Sequence, residues 1–366
     1  MNVNITSSTP RLDLSELELP ALEAWLSEKG AEPFRAKQIF GWLYRRGATN
    51  VDDMTDLPRA LRATLAAEAV IATPAIVQHD RSADGTEKIL LRLADGRLIE
   101  SVFIPDTPAM TFCLSTQVGC AMACAFCLTG KMGLVRHLTA GEIVGQVRVL
   151  SRSVDLGGRA FNIVFMGMGE PLHNYDETMK AVRLLAGEHA FALPARRMTL
   201  STVGLPPALE RLAHEPIMPN IALSLHAPTD RQREALVPIT KKYPIAEVIA
   251  ACQRLPLKRR NRMTFEYVLL AGVNDSPDDA RRLARLLSGL RAKVNLIPLN
   301  AAPGIPFERP SDEAIDRFGA ILAERDVTVS VRKSRGRDIR AACGQLIVEG
   351  AGVSPAQRLA EVAFKR

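Results

Sequence analysis

Apolar residues recur three and four positions apart in LSELELPALEAWLSEKG (14–30), FRAKQIFGWLYRRG (34–47) and LPRALRATLAAEAV (57–70), a pattern that predicts helices. From about residue 76 the period shortens to two. KILLRLADGRLIESVFIP reads as strands broken at Asp95 and Gly96, a dipeptide suited to the positive φ of a hairpin turn. Beyond residue 109, β-branched runs (TFCLST, FNIVFM, RMTLSTV, NIALSLH, MTFEYVLL, KVNLIPLN, VTVSVR) alternate with helical stretches at 139–153, 174–187, 205–213, 244–254, 276–289 and 311–324. Such alternation predicts parallel βα units, in a barrel or a doubly wound sheet. The expected organisation is a helical unit over 1–75, a short β linker over 76–108, the βα unit over 109–335 and a C-terminal tail over 336–366.

Composition narrows the class. Of 366 residues 47% are hydrophobic and 24% charged, the balance of a globular chain with room for a large core. No stretch has the roughly 18 uncharged apolar residues of a membrane span, and MNVNITSSTPRLDLSE lacks the pattern of a signal peptide, so a cytoplasmic location without membrane contact is expected. The net charge of +7 permits a polyanionic partner without demanding one. In the second helix Arg35, Lys37, Arg45 and Arg46 flank Trp42 and Tyr44, either as a solvated basic face around a core aromatic or as a nucleic-acid face.

Six cysteines in such a chain point to metal binding or redox chemistry before structural disulfides. In GCAMACAFC, Cys120, Cys124 and Cys127 follow the first strand of the βα unit and can converge from one loop. A zinc site would need a fourth ligand, for which His137 is available. Three thiolates instead suit an iron-sulfur cluster with one iron left free for a small molecule. The next strand ends in FMGMGEPL, where Gly167 and Gly169 are expected to let backbone approach a ligand and Glu170 to accept a bond from an ammonium group. GKM at 130–132 does not meet the phosphate-loop pattern, and Thr139 with Glu142 predicts a capping box.

A C-x-x-x-C-x-x-C loop after one strand and GMGEP after the next resemble the radical S-adenosylmethionine (SAM) superfamily. With STQVGC, MGMGEPL, TLSTVG, SLHAP, KKYPI, FEYVLL, GVND, NLIPLN and ACGQL in this order, the chain resembles the RlmN/Cfr family of RNA adenosine methyltransferases from about residue 30 to residue 347. The resemblance implies an α/β fold, a radical SAM partial (β/α)6 barrel with an N-terminal helical domain and a short β linker. It also implies a [4Fe-4S] cluster on Cys120, Cys124 and Cys127, with SAM held by Gly169, Glu170, Ser201, Ser224, Leu225, His226 and Asn300. Relatives more often carry Ala or Ser at Leu128 and an aromatic at Leu134, but no ligand is missing.

The implied reaction is methylation at C2 of an adenosine, with two SAM consumed per turnover and a 5′-deoxyadenosyl radical, and in it the resemblance makes Cys343 the methyl carrier, Glu100 the proton acceptor and Cys113 the thiol that releases product as a Cys113–Cys343 disulfide. Taken from the sequence alone, Glu100 would be an exposed strand residue. Arg332, Lys333, Arg335, Arg337 and Arg340 would lower a nearby thiol pKa and offer phosphate contacts, or form a solvated strand end. Lys258, Arg259, Arg260 and Arg262 read as a solvated run, and Cys252 as structural. The implied partners are 23S rRNA and tRNA, a flavodoxin- or ferredoxin-type electron donor and a disulfide reductant, with the protein as a monomer. Methylation at C8 of the ribosomal adenosine, another radical SAM activity such as peptide modification, and a non-enzymatic metal-binding RNA module remain alternatives.

Overall fold

A computed structural model describes residues 11–105, 109–257 and 262–348. The first described element is β1 (Leu12–Asp13), which pairs parallel to β2 (Ala69–Val70) and ties together the ends of the first helical unit. Between them lie α1 (Leu19–Glu28), α2 (Arg35–Phe40) running into a π turn over Gly41–Arg45, and α3 (Arg59–Glu68). Leu22, Leu26, Ile39, Leu43, Leu61 and Leu65 all point inward, as their four-residue spacing requires.

Three antiparallel strands follow: β3 (Ala75–Arg81), β4 (Glu87–Arg92) and β5 (Leu98–Ile104), with the turn at Asp95 and Gly96 between the last two. The segment expected as a linker is thus part of the main sheet, because β5 pairs antiparallel with β6 (Thr111–Cys113). Next come β7 (Gln117–Gly119), α4 (Leu128–Lys131), β8 (Leu134–His137), α5 (Ala140–Ser153), β9 (Asn162–Phe165), α6 (Tyr175–Ala186), β10 (Met198–Thr202), α7 (Pro206–Leu212) and β11 (Asn220–Ser224). The chain continues through α8 (Asp230–Leu236), α9 (Ile245–Gln253), β12 (Met263–Leu269), α10 (Pro277–Leu286), β13 (Ala292–Pro298), α11 (Asp312–Ala323) and β14 (Thr328–Val331). The capping box of Thr139 and Glu142 starts α5 as expected.

The ten-stranded sheet runs β14-β13-β12-β11-β10-β9-β6-β5-β4-β3. From β6 to β14 every pair is parallel and each strand lies beside its predecessor in the βα series. Without a reversal of strand order there is no switch point, so the doubly wound alternative is excluded and the sheet is the singly wound wall of a partial barrel. Helix α8 was not legible in the periodicity. It sits in the β11–β12 connection, where it is capped by Thr229 and buries only Arg233 and Leu236. Among the described residues no helix is long and apolar enough to cross a membrane.

The helical unit docks on the barrel through cations that meet carbonyls. Arg148 of α5 donates to Leu43 O at 3.2 Å, Ala72 O at 3.1 Å and Ala48 O at 2.7 Å, and Arg152 donates to Gly47 O. Arg45 reaches the other way to the carbonyls of Glu188 and Ala190. Arg45 is therefore part of the docking surface, and Tyr44 is buried beneath it.

Candidate active site

The antiparallel ribbon of β7 and β8 presents the cysteine loop over the C-terminal ends of the barrel strands. Cys120 N–H bonds to Gly133 O at 2.9 Å, closing the loop's base, and Ala125 N–H bonds to Leu236 O at 2.9 Å. Cys120, Cys124 and Cys127 line one cavity of about 150 Å³ together with Gly167, Gly169, Glu170, Ser201, Ser224, His226 and Asn300. Strand ends are where a barrel gathers its chemistry. Of the residues expected to hold SAM, only Leu225 is absent from this lining. Its side chain is in the main core and its main chain bonds to Glu266 O and to the Arg233 guanidinium.

Burial pushes the Cys120 thiol up to about 12 and the Cys124 thiol well above its ordinary value. Burial also raises Cys127, opposed by the N–H groups of Gly130 and Thr129 at the start of α4. Cys120 and Cys124 are buried and Cys127 half-buried around one cavity, and three sulfur donors without a fourth ligand among the described residues fit an iron-sulfur cluster with one iron left free. A second fit is Asn300, whose Oδ1 is buried without a hydrogen-bond partner among the described residues while its Nδ2 donates to Cys343 O at 3.4 Å.

The two glycines of GMGEP line this cavity and are also packed closely by the chain itself. A Cβ on Gly167 would come within 2.7 Å of the Leu114 carbonyl, and one on Gly169, at φ +105°, within 2.6 Å of the Gln117 side chain. Glu170 is likewise engaged, accepting Leu172 N–H at 3.0 Å and Val203 N–H at 2.9 Å, and burial pushes its carboxyl up to about 7. Ser201 and Ser224 lie with hydroxyls 3.3 Å apart on neighbouring strands. His226 has φ +60°, and its Nδ1 accepts Val268 N–H at 3.1 Å. Burial, with Arg233 nearby, lowers its pKa to about 3, so the neutral ring carries its proton on Nε2.

Sequence reasoning missed Arg233. This fully buried guanidinium of α8 donates to Leu225 O at 3.0 Å, Thr240 Oγ1 at 3.0 Å and Ser224 O at 3.2 Å, and also to Val203 O. It thereby locks the ends of β10 and β11 together behind Cys124. No periodicity marks an arginine whose partners are carbonyls distant in sequence.

A larger cavity of about 570 Å³ lies along the parallel strands and is lined by Cys113, Cys343, Asn162, Arg196, Arg197, Glu266, Lys293, Arg332, Lys333 and Arg335. Both cavities are lined by Met166, Glu266, Ile297, Asn300, Arg332 and Cys343. Burial pushes the Cys113 thiol up to about 12, against a pull from Arg332. Cys343, then Glu266 and Cys113, hold the Arg332 guanidinium above its ordinary value against the effect of burial. Burial raises the Glu266 carboxyl, opposed by Arg332 and by the Asn295 amide at 2.8 Å. Of the C-terminal basic group, Arg337 and Arg340 do not line either cavity. Arg262 bonds to Thr328 Oγ1 at 2.7 Å, while Lys258, Arg259 and Arg260 fall outside the described residues.

Glu100 is buried, at 1% exposure, which overturns the exposed-strand reading. Its Oε1 pairs with Lys88 Nζ at 3.0 Å and its Oε2 accepts Ile347 N–H at 2.9 Å. It lines neither cavity, but it touches the segment that carries Cys343.

Residues 12–71 match the family model of the ribosomal RNA large subunit methyltransferase N-terminal domain, and residues 114–286 match the radical SAM superfamily. The chain is 49% identical over 354 residues to the dual-specificity RNA methyltransferase RlmN of Anaeromyxobacter dehalogenans, covering 95% of both chains. It belongs to the RlmN family of radical SAM methyltransferases. The RlmN of Geobacter sulfurreducens is 50% identical over 335 residues, with 92% of each chain covered. A radical SAM methyltransferase crystal structure from Sphaerobacter thermophilus superposes with a TM-score of 0.88 at 50% identity, over 92% of this chain and 99% of that one. The RlmN family uses a [4Fe-4S] cluster and SAM, consistent with the sulfur donors and the strand-end cavity described above.

Proposed function

We propose that this enzyme methylates C2 of an adenosine in 23S rRNA and in tRNA, with Cys343 as methyl carrier. The observation that carries the reading is that Cys343 lines both cavities, facing the cysteine trio on one side and Cys113 in the basic chamber on the other. Adenine C2 is electron-poor, so polar attack by the base on a methyl donor is unavailable and a carrier is needed. When bound, the cluster and SAM supply the methyl group and a hydrogen-abstracting carbon radical.

The chain's own residues then have distinct tasks. Cys120, Cys124 and Cys127 hold the cluster. Asn300, through its unpartnered Oδ1, the Ser201 and Ser224 hydroxyls and the His226 Nε2–H present polar groups to SAM. The Cys343 thiolate accepts a methyl group and, after losing one hydrogen atom from it, bonds through that carbon to adenine C2, the radical adduct then returning its odd electron to the metal centre that supplied it. Glu100 takes the C2 proton. The Cys113 thiol, giving up its proton as it attacks the Cys343 sulfur, breaks that sulfur's bond to the transferred carbon, which takes up one proton to become the methyl group, and forms a disulfide that an external dithiol reduces. Electrons enter from a donor of flavodoxin or ferredoxin type.

Arg196, Arg197, Lys293, Lys333 and Arg335 give the larger chamber a positive lining suited to phosphates beside an extruded base. Tryptic mass spectrometry of the isolated protein tests the carrier: a 14 Da addition on the Cys343 peptide is expected, absent in Cys343→Ala. Chromatography of digested RNA should give 2-methyladenosine; 8-methyladenosine would instead establish the C8 activity, and full turnover by Cys343→Ala would remove the carrier altogether.

A further inference from the structure

Lys88 and Glu100 form a buried ion pair that the proposed reaction uses only at one end. Lys88 lies on β4 two residues from Leu90, the cross-strand partner of Glu100 on β5, so both side chains share one face of the hairpin. Their charged atoms are 3.0 Å apart, with side chains 7% and 2% exposed. A lysine is seldom buried without a task, because desolvation costs several kcal/mol per ion and one removed partner leaves the other uncompensated.

Glu100 is fixed at more than this point. Its N–H meets Met168 Sδ in the GMGEP loop at 3.4 Å, and its carbonyl accepts the Ser115 hydroxyl at 2.6 Å. With the backbone fixed, the Lys88 ammonium sets where the carboxylate points. The other carboxylate oxygen accepts Ile347 N–H, four residues after Cys343. The intervening chain is tied on its other side to the cysteine loop, through Leu128 N–H to Gly344 O at 2.8 Å and Thr129 Oγ1–H to Leu346 O at 2.6 Å. The segment bearing Cys343 is thus held between the cysteine loop and the Lys88–Glu100 pair.

We propose that Lys88 is a positioning residue that aims the Glu100 carboxylate at the Ile347 amide and, by doing so, docks the Cys343 segment for product release. The proposal rests on Cys343 as carrier and Glu100 as proton acceptor. In Lys88→Met, amide hydrogen exchange in the 343–348 peptide should rise at least tenfold and the covalent RNA–Cys343 adduct should accumulate. Methyl loading of Cys343 should stay at the wild-type level. Lys88→Arg should restore both properties in large part.

Because Lys88→Met removes the ammonium partner of a buried carboxylate, the double variant Lys88→Met/Glu100→Met provides a neutral pair of similar volume. It should fold and still show the raised exchange, since the acceptor for Ile347 is gone. Exchange unchanged in both variants, or an adduct that resolves at the wild-type rate in Lys88→Met, overturns the proposal. A wild-type protein without the 14 Da addition on Cys343 would instead sink the underlying carrier reading, whatever the exchange data show.

Discussion

Asn300 donates through Nδ2 to the carbonyl of Cys343 at 3.4 Å, while its Oδ1 is buried and without a partner among the described residues. One amide thus joins the end of β13 to the Cys343 segment and leaves an acceptor in the strand-end cavity. A buried polar atom without a partner costs about 1–3 kcal/mol, an arrangement that makes sense where a ligand completes the bond. Asn300→Ala should weaken SAM binding to the cluster-loaded protein by about 5- to 150-fold, the equivalent of that range. Equilibrium binding of SAM measures it, and an unchanged affinity would take Asn300 out of the SAM site.

Arg148 is the main bond between the helical unit and the barrel, a 2% exposed cation with three carbonyl partners on residues 43, 48 and 72. Arg148→Met keeps most of the volume and strands those carbonyls. A loss of about 3 kcal/mol or more is expected, at about 1–3 kcal/mol for each orphaned group. Denaturant unfolding should report the loss, and limited proteolysis should cut first within residues 12–70. Equal stability of variant and wild type would mean that water or a neighbour replaces the guanidinium.

The Glu170 carboxyl gives the metal-free protein a pH dependence with a definite sign. Its folded pKa, about 7, lies above the ordinary 4.5. Between those values the folded state holds a proton that the unfolded state has released, so the contribution of Glu170 to stability falls as pH rises through this window and is level above it. Glu170→Gln should flatten this part of the profile, raising stability near pH 8 relative to wild type more than near pH 5. Parallel profiles from chemical denaturation at several pH values would refute the assignment.

Much of the architecture was legible because its causes are local. The β-branched runs and their intervening helices follow from period alone, and Cys120, Cys124 and Cys127 lie within one eight-residue stretch. The residues that hold the site together were not legible, because their partners are distant in sequence. Arg233 bonds to Val203, Leu225 and Thr240, and Arg148 to residues 43, 48 and 72. Glu100 reads as an exposed strand residue until β4 supplies Lys88 and the C-terminal segment supplies Ile347. The Leu114 carbonyl and the Gln117 side chain, which would clash with a Cβ on Gly167 or Gly169, are 50 or more residues away in sequence and could not be read from GMGEP.

The N-terminal helices bear an aromatic and basic surface that the fold leaves outward. Phe34 is 50% exposed with the Arg35 guanidinium 4.5 Å from its ring centre, and Arg46 stacks over Trp42 at 4.1 Å. Lys37 is exposed on the same helix as Arg35. An exposed aromatic flanked by cations suits an unpaired base and its phosphate, and such stacking contributes about 1–3 kcal/mol per base. Phe34→Ala should therefore weaken RNA binding by about 5- to 100-fold with little change in its salt dependence. Lys37→Ala should lower affinity less and reduce the salt slope by about one counterion. Arg45→Ala should act differently, loosening the helical unit through Glu188 and Ala190 without a primary effect on the salt slope. Filter binding of a hairpin RNA across a salt series separates the three, and wild-type affinity in Phe34→Ala together with Lys37→Ala would leave this surface without a role in RNA binding.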